Sequence, residues 1–170
     1  MDTFFEQIVS IRKNALTRLA IIGLWVLAAL LTVFLLMVNL LGALTVFAVI
    51  GIVYGAYTLT GMTNIEYEYI ITNGTMDIDK IINKSSRKRI ASFELSQVSR
   101  LEKFSSEKIV NIDKKYLVVA CNQNDPQAYY MVCEREGKGA LHVVFAPEER
   151  IKGAVLKFVP KFIANNAFKD

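Results

Sequence analysis

The distribution of charge is the most unusual absence in this sequence. No Asp, Glu, Lys or Arg occurs between Arg18 and Glu66, although 21% of the 170 residues are charged and 53% are hydrophobic. The apolar excess is therefore concentrated in one block, and the rest of the chain has an ordinary soluble composition. Ionisable residues inside a membrane usually mark ion or proton pathways. Their absence here argues against a transporter or pump that acts by itself.

Catalytic and metal-binding signatures are also missing. Histidine occurs once, at His142, so a metal cluster or triad built on several histidines is excluded. No P-loop, GxSxG, HExxH or GxGxxG motif is present. Asp77 and Asp79 share one predicted strand face, where such a pair is more often solvated than bound to a cation. We therefore expect no catalytic residue, no metal and no cofactor.

Cysteine is scarce and the net charge is small. Cys121 and Cys133 lie in apolar, strand-like runs without a CxxC or metal-ligand spacing, so we expect both to be buried. The net charge of +4 is too small for a nucleic-acid binder, which would carry a strongly basic face. A local basic patch that meets anionic lipid remains compatible with this charge.

The uncharged block is long enough for two membrane passes. About 20 helical residues cross the hydrocarbon core, whereas 40 would form one helix of about 60 Å. Asn39 and Gly42 are the only plausible turn residues at the midpoint. The sequence thus predicts a hairpin over 18–62, with helices at about 18–38 and 42–60. A cleaved signal peptide is disfavoured because its apolar core would be only about 7–15 residues long.

Basic residues predict the orientation of this hairpin. Arg12, Lys13 and Arg18 precede the first helix and a further basic group follows the second, whereas the connecting turn is uncharged. The positive-inside rule then places both the N- and C-termini in the cytoplasm. We expect a two-pass protein of the cell membrane.

The second helix contains Gly51 and Gly55, a GxxxG spacing that lets helix backbones approach closely. Two packing partners are open. The first helix, which carries Ala20 and Gly23, is favoured because the arms of a tight hairpin must bury a surface between them. Homodimerisation through the same face is the alternative.

Residues 1–17 are predicted to form an amphipathic interfacial helix. Thr3 and Glu6 have the spacing of a capping box. Apolar residues then recur at near-helical intervals from Phe4 to Leu16, opposite Glu6 and Arg12. Such a helix would lie at the cytoplasmic interface or pack on the soluble domain.

After Gly61 the pattern changes to the alternation of half-buried strands. Asn73-Gly74 is a strong hairpin signal, and Lys84 to Lys88 is interpreted as a polar connection. Seven antiparallel strands are predicted, at 65–71, 75–82, 90–95, 98–104, 116–121, 128–133 and 141–145.

A helix is predicted to follow the last strand. Pro147 suits its first position, acidic residues come next, and Ile151 to Phe162 supply an apolar stripe that would cover an open barrel. Pro160 should kink or end this helix. Residues 164–170 are then expected to form a loose tail.

Seven antiparallel strands with one capping C-terminal helix resemble the pleckstrin-homology (PH) fold. Two stretches, Tyr67–Gly74 and Ser92–Val98, resemble the opening of bacterial PH-like domains, which often sit beside paired transmembrane helices. The resemblance implies a membrane α-helical hairpin followed by a mainly-β cytoplasmic PH-like domain over 64–163. It points to a family of small bacterial membrane proteins that has no established activity to transfer.

The most conspicuous charged feature is a run of five basic residues without an acid, Lys80, Lys84, Arg87, Lys88 and Arg89. Resemblance to phosphoinositide-binding PH domains would make Lys80, Arg87 and Arg89 headgroup ligands. The run lies between the second and third predicted strands, however, instead of around the first and second. A solvated surface turn is the alternative.

These observations favour a membrane-tethered interaction module that binds a protein partner. Sensing of anionic lipid headgroups through the run from Lys80 to Arg89 is the second hypothesis. The third is an accessory subunit of a transporter or membrane enzyme complex.

Overall fold

The computed structural model describes residues 3–38, 42–122, 125–135, 137 and 139–168. Within these ranges the chain forms eight strands and four α-helices. The strands are β1 Phe4–Ser10, β2 Ile65–Thr72, β3 Thr75–Ile82, β4 Ser86–Glu94, β5 Val98–Lys103, β6 Leu117–Val119, β7 Tyr129–Cys133 and β8 Leu141–Phe145. The α-helices are α1 Ala15–Val38, α2 Thr45–Met62, α3 Glu149–Phe158 and α4 Lys161–Ala164.

The two long helices are inserted between two paired strands. β1 pairs antiparallel with β2, so that Phe4 lies opposite Thr72 and Ser10 lies opposite Glu66. The chain leaves the sheet after Ser10 and comes back at the cross-strand partner of that residue. Two compact units result, a strand unit (residues up to 11, 66–81 and from 86 on) and a hairpin unit (residues 12–65 and 82–85).

The prediction of an amphipathic helix at residues 1–17 is wrong. Along β1 the exposed side chains of Phe4, Glu6 and Ile8 alternate with more buried ones, which is the period of a strand. Because both faces of β1 carry apolar residues, the same sequence also matched a helical spacing. Its pairing partner is more than fifty residues away, beyond the reach of a local pattern.

The predicted hairpin turn at Asn73-Gly74 is confirmed. Asn73 has φ +50° and Gly74 has φ +95°, the left-handed values that a tight hairpin turn between β2 and β3 requires. Asn73 also holds the start of β1, because its Oδ1 accepts the N–H of Thr3 at 3.0 Å. A side chain at position 74 would meet Phe158, since an added Cβ would lie 3.1 Å from its ring.

The strands form two four-stranded sheets, in the orders β1-β2-β3-β4 and β5-β7-β8-β6. β6 runs parallel to β8, with Leu117 opposite His142. The predicted layout of strands followed by a helix is confirmed, but the prediction of exclusively antiparallel strands is wrong. Short 3₁₀ turns between β5 and β6 bring the chain to the far side of β8. Residues 120–140, which include β7, then connect β6 to β8, and a connection of this length allows the two strands to be parallel.

The core of the strand unit is built from buried side chains of both sheets and of α3. Alternate residues of β2 and β3 are fully buried in it, as are Met131, Val143 and Phe145 of the second sheet. α3 contributes Ile151, Ala154 and Val155, which share one helical face.

The end of the chain also packs on this core. α3 ends at Phe158, as Pro160 predicted. Beyond it, Ile163 and Ala167 are buried, and the ring of Phe168 meets Tyr129 edge-on with centroids 4.7 Å apart. The prediction of a loose tail is therefore wrong for residues 164–168, because apolar side chains there have a place in the core.

Two buried polar side chains fasten β1 and β2 to the second sheet. The hydroxyl of Tyr69 donates to the carbonyl of Ala120 at 2.6 Å and accepts the N–H of Ala146 at 3.2 Å. The amide of Gln7 donates to the carbonyl of Ala146 at 3.0 Å and accepts the N–H of Glu148 at 2.8 Å. Burial, the largest cause, raises the pKa of Tyr69 well above its ordinary value.

The hairpin unit contains two helices that are long and apolar enough to cross a membrane, Ala15–Val38 and Gly42–Met62. Asn14 caps α1, since its Oδ1 accepts the N–H of Thr17 at 2.7 Å. The predicted spans of 18–38 and 42–60 lie within two or three residues of these bounds. Of the predicted turn, Asn39 to Leu41 lies outside the described residues, and Gly42 has φ +53°.

The two helices pack through small residues other than the predicted glycines. Ala28 and Ala56 are buried, and the indole N–H of Trp25 donates to the hydroxyl of Thr60 at 3.1 Å. A Cβ added at Gly51 or Gly55 would meet nothing within 4 Å. The prediction that these glycines pack against the first helix is therefore wrong, because another face of α2 makes that contact. Homodimerisation through them stays a prediction.

Removal of the hairpin is expected to leave a foldable domain only if β1 is retained. Residues 3–11 joined to 65–168 by a short Gly/Ser linker should fold, because cross-strand partners such as Ser10 and Glu66 lie only about 4.5–5.5 Å apart. Residues 65–168 alone lose the hydrogen bonds of Gln7 to Ala146 and Glu148. The loss at the buried carbonyl of Ala146 should cost about 1–3 kcal/mol. Chemical unfolding and amide chemical-shift dispersion measure both chains. Equal stability of the two would contradict the role assigned to β1.

Candidate functional site

The five predicted headgroup residues do not lie in one loop. β4 begins at Ser86, so Arg87, Lys88 and Arg89 belong to a strand, and the prediction of a polar connection from 84 to 88 is wrong. The turn is shorter, with Asn83 at φ +52° and Lys84 at φ +56°. The strand can carry Arg87 and Arg89 here because their acidic partners lie on the neighbouring strands.

Both arginines of β4 bind carboxylates of the same sheet. Arg87 makes two contacts with Glu68 of β2, Nη1 to Oε2 at 2.9 Å and Nη2 to Oε1 at 3.0 Å. Arg89 bridges two residues of β3, with Nε 2.9 Å from Asp79 Oδ1 and Nη1 2.8 Å from Asp77 Oδ2. We call these five residues the arginine–carboxylate cluster. Bidentate geometry of this kind suits arginine and not lysine.

The acids of the cluster lie on the face of the first sheet that is opposite the core. Glu68 alternates with buried Tyr69, and Asp77 alternates with buried Met76 and Ile78. Glu68 is nevertheless only 1% exposed and Asp79 only 3%. Their charges are thus compensated within the fold, and Arg87 and Arg89 have a structural use.

Glu68 is the cluster member with a shifted titration. Burial raises its pKa, and a hydrogen bond with the Glu6 carboxyl raises it further, whereas the charge of Arg87 acts in the opposite direction. Burial is thus the main reason why the folded chain favours the protonated form of Glu68.

The three lysines of the predicted site differ from the arginines. Lys88 alternates with Arg87 and Arg89, and Lys80 follows Asp79, so both lysines lie on the core side of the sheet, at its end beyond buried Ile78. Lys88 is exposed there and Lys80 is partly exposed. Lys84 is exposed in the turn. Within the described ranges, none of the three makes an ion pair or a hydrogen bond through its side chain. The lysines are the cations of this run that remain available to an external anion.

A shallow cavity of about 250 Å³ lies elsewhere in the strand unit, between the segment before β6 and the start of β8. His142 lines it, and its Nδ1 lies 2.5 Å from the hydroxyl of Tyr130. Burial lowers the pKa of His142, which favours the neutral ring. The carboxylate of Asp113, also in the lining, accepts the N–H of Lys115 at 3.0 Å. His142 and Asp113 thus both have hydrogen-bond partners within the fold. No pattern in the sequence predicted that these two residues would line one cavity.

The remaining candidate residues have structural surroundings. Cys121 and Cys133 are free and buried, as predicted, and burial raises the pKa of both thiols to about 11. Asp77 and Asp79 face Arg89. Among the residues that the structure describes, no group of three or more His, Cys, Asp or Glu side chains is arranged to hold a metal ion.

Comparison with known proteins gives one family match. The model of a family described as "Bacterial PH-like domain (DUF6106)" matches residues 1–165. No curated protein and no solved structure matches the chain. The matched range includes β1 and both long helices as well as the two sheets and α3.

Substitution of neighbouring residues on β4 should separate structural from available cations. Arg87→Gln leaves buried Glu68 without its bidentate partner, and we expect a loss of about 1–3 kcal/mol in the free energy of unfolding, moderated because Arg87 is half exposed. Lys88→Gln is the matched control and should change stability by less than about 0.5 kcal/mol. Urea unfolding of both variants in detergent measures this. Equal losses of stability in the two variants would contradict the distinction between paired arginines and an available lysine.

The raised pKa of Glu68 predicts a pH-dependent contribution to stability. Because its pKa lies above the ordinary 4.5, the folded chain binds this proton more tightly than the unfolded chain does. The stability of the wild type relative to Glu68→Gln should therefore be highest below pH 4.5 and fall as the pH rises through the raised pKa. Unfolding of both proteins across a pH series tests this. A difference that grows with pH would contradict it.

Proposed function

Because the chain belongs to the bacterial PH-like domain family DUF6106, we propose that it is a membrane-anchored interaction module without catalytic activity. In this proposal α1 and α2 span the cell membrane, and both termini lie in the cytoplasm together with the strand unit. The PH-like domain binds a protein partner at the inner leaflet. The family match supports the domain type, and the partner is our inference.

The insertion of the hairpin between β1 and β2 is the observation that carries this proposal. Ser10 and Glu66 are cross-strand partners, and only 11–14 and 63–64 connect the sheet to α1 and α2. Two such short connections keep the start of the sheet within a few residues of the proposed spans, whereas a long flexible linker would not. This arrangement suits a role in which the position of the binding surface at the membrane matters.

The surfaces of the helices support a bilayer environment. Their large apolar side chains point outward, including Leu30, Phe34, Phe47 and Ile50, each at least 60% exposed. The core helix of a soluble protein would bury most such side chains. In a bilayer these side chains would contact lipid chains and not water, so we assign this apolar surface to the hydrocarbon core.

Basic residues support the cytoplasmic orientation. Arg12, Lys13 and Arg18 lie at the start of α1. Within the hairpin unit, the turn that contains Lys84 packs at the end of α2, where a Cβ added at Gly61 would lie 2.8 Å from the Asn83 amide. Positive charge is thus grouped at the ends of the hairpin that lead to the strand unit. The positive-inside rule assigns that side to the cytoplasm.

β1 supplies a candidate surface for the protein partner. Phe4 is 60% exposed and Ile8 is 52% exposed, and both lie on the solvent face of β1. Apolar and aromatic side chains of this kind are enriched at the centres of protein interfaces. We propose that this pair contacts the partner.

Site-specific photo-crosslinking in native membranes tests the proposed function. A photoreactive residue at Phe4 or Ile8 of the full-length chain should give a discrete product with one other protein. The same residue at Val110, which is 74% exposed, is the control and should not give this product. Identification of the product by mass spectrometry, followed by its loss in Ile8→Ser with a photoreactive residue at position 4, would support a specific contact.

Two outcomes would overturn parts of this proposal. If alkaline carbonate extracts the chain from membranes, the proposal that α1 and α2 anchor it in the bilayer is wrong. Crosslinks from positions 4 and 8 that contain only further copies of this chain would exclude a heterologous partner at β1.

A further inference from the structure

We propose that Lys80 and Lys88 bind the phosphate group of an anionic membrane lipid. The inference rests on the membrane anchoring proposed above, and it is independent of the protein partner. It differs from recognition by the whole basic run, because Arg87 and Arg89 are already bound by carboxylates.

The two lysines lie on neighbouring strands, each within a few residues of the turn at 83–85. They share the face of the first sheet that carries buried Met76 and Ile78, but near its end, where Lys88 is exposed and Lys80 is partly exposed. β3 and β4 are adjacent in this sheet, and adjacent strands lie about 4.8 Å apart. Like charges placed side by side on a sheet repel each other. Among the described residues, no acid pairs with Lys80 or Lys88, whereas each arginine of β4 has an acidic partner. An anion from outside the chain would relieve this repulsion.

The chemistry of lysine indicates what kind of anion fits. Its ammonium group is a compact point charge on a flexible stem, which suits phosphate without fixing the orientation of the ligand. Arginine, by contrast, would impose a bidentate geometry. We therefore expect selectivity for the negative phosphodiester of the headgroup, with little discrimination among different anionic lipids.

The position of the lysines along the chain favours lipid as the source of the phosphate. Lys80 lies two residues before Ile82, and Lys88 lies three residues after Ser85, and Ile82–Ser85 belongs to the hairpin unit. In that unit the N–H of Asn83 donates to the carbonyl of Asn64, two residues beyond α2, at 2.8 Å. The chain spans at most about 3.6 Å per residue, so both lysines are held within about 11 Å of this turn. Headgroups lie at the ends of spanning helices.

Lysine footprinting of the full-length protein in lipid nanodiscs tests the inference. Acetylation rates of Lys80 and Lys88, read by mass spectrometry, should be about fivefold lower in phosphatidylglycerol discs than in phosphatidylcholine discs. That factor corresponds to about 1 kcal/mol per lysine. Exposed Lys114 and Lys161 are controls within the same molecule and should change much less. Raised salt should remove the difference, because the contact is electrostatic.

A variant and a soluble anion complete the test. Lys88→Gln should release much of the protection at Lys80, since the two share one phosphate, whereas Lys114→Gln should leave it intact. Equal rates in both lipids, or an equal decrease at Lys114 and Lys161, would overturn the proposal. Protection by inorganic phosphate in phosphatidylcholine discs would replace lipid with a free anion. A chain that does not integrate into discs would overturn the proposed membrane anchoring. That result is distinct from failure of the lysine proposal, because it is seen before any acetylation rate is measured.

Discussion

The pairing of β1 with β2 is the constraint on which the rest of the structure depends. Their register from Phe4–Thr72 to Ser10–Glu66 joins two segments that the whole helical hairpin separates in sequence. Loop-closure entropy grows only slowly with length, and a hairpin that folds back on itself brings its two ends together. Gln7 and Tyr69 then fasten the strand pair to the chain around Ala146. The hairpin is consequently an insertion within the domain and not a leader in front of it.

The pleat of the first sheet divides the basic run into two chemically different groups. The two arginines of β4 lie beside the acids of the arginine–carboxylate cluster. Their planar groups supply the positive charge without which those acids would be left unpaired. The alternating lysines have no such partner within the described residues. In this stretch of sequence the arginines therefore contribute to stability, whereas the lysines form a surface that can meet an external anion.

The proposed membrane attachment through two helices changes what lipid contacts can contribute. Insertion of a spanning helix is effectively irreversible, whereas each lysine near an anionic leaflet contributes about 1 kcal/mol. Lysine–lipid contacts would thus add nothing to targeting, but they are strong enough to select one orientation of a tethered domain. In that orientation the exposed apolar side chains of β1 would be presented to a protein partner in a defined way.

The sequence by itself determined the features that depend on local pattern. The uncharged block predicted both long helices to within a few residues, Asn73-Gly74 predicted the hairpin turn, and alternation predicted β2 and β3. Pairing partners were decided only by the tertiary structure. The helical interpretation of β1, the antiparallel one of β6 and the loop assigned to Arg87 all failed for one reason. Strand identity, direction and charge compensation depend on neighbours distant in sequence, and a one-dimensional pattern does not contain them.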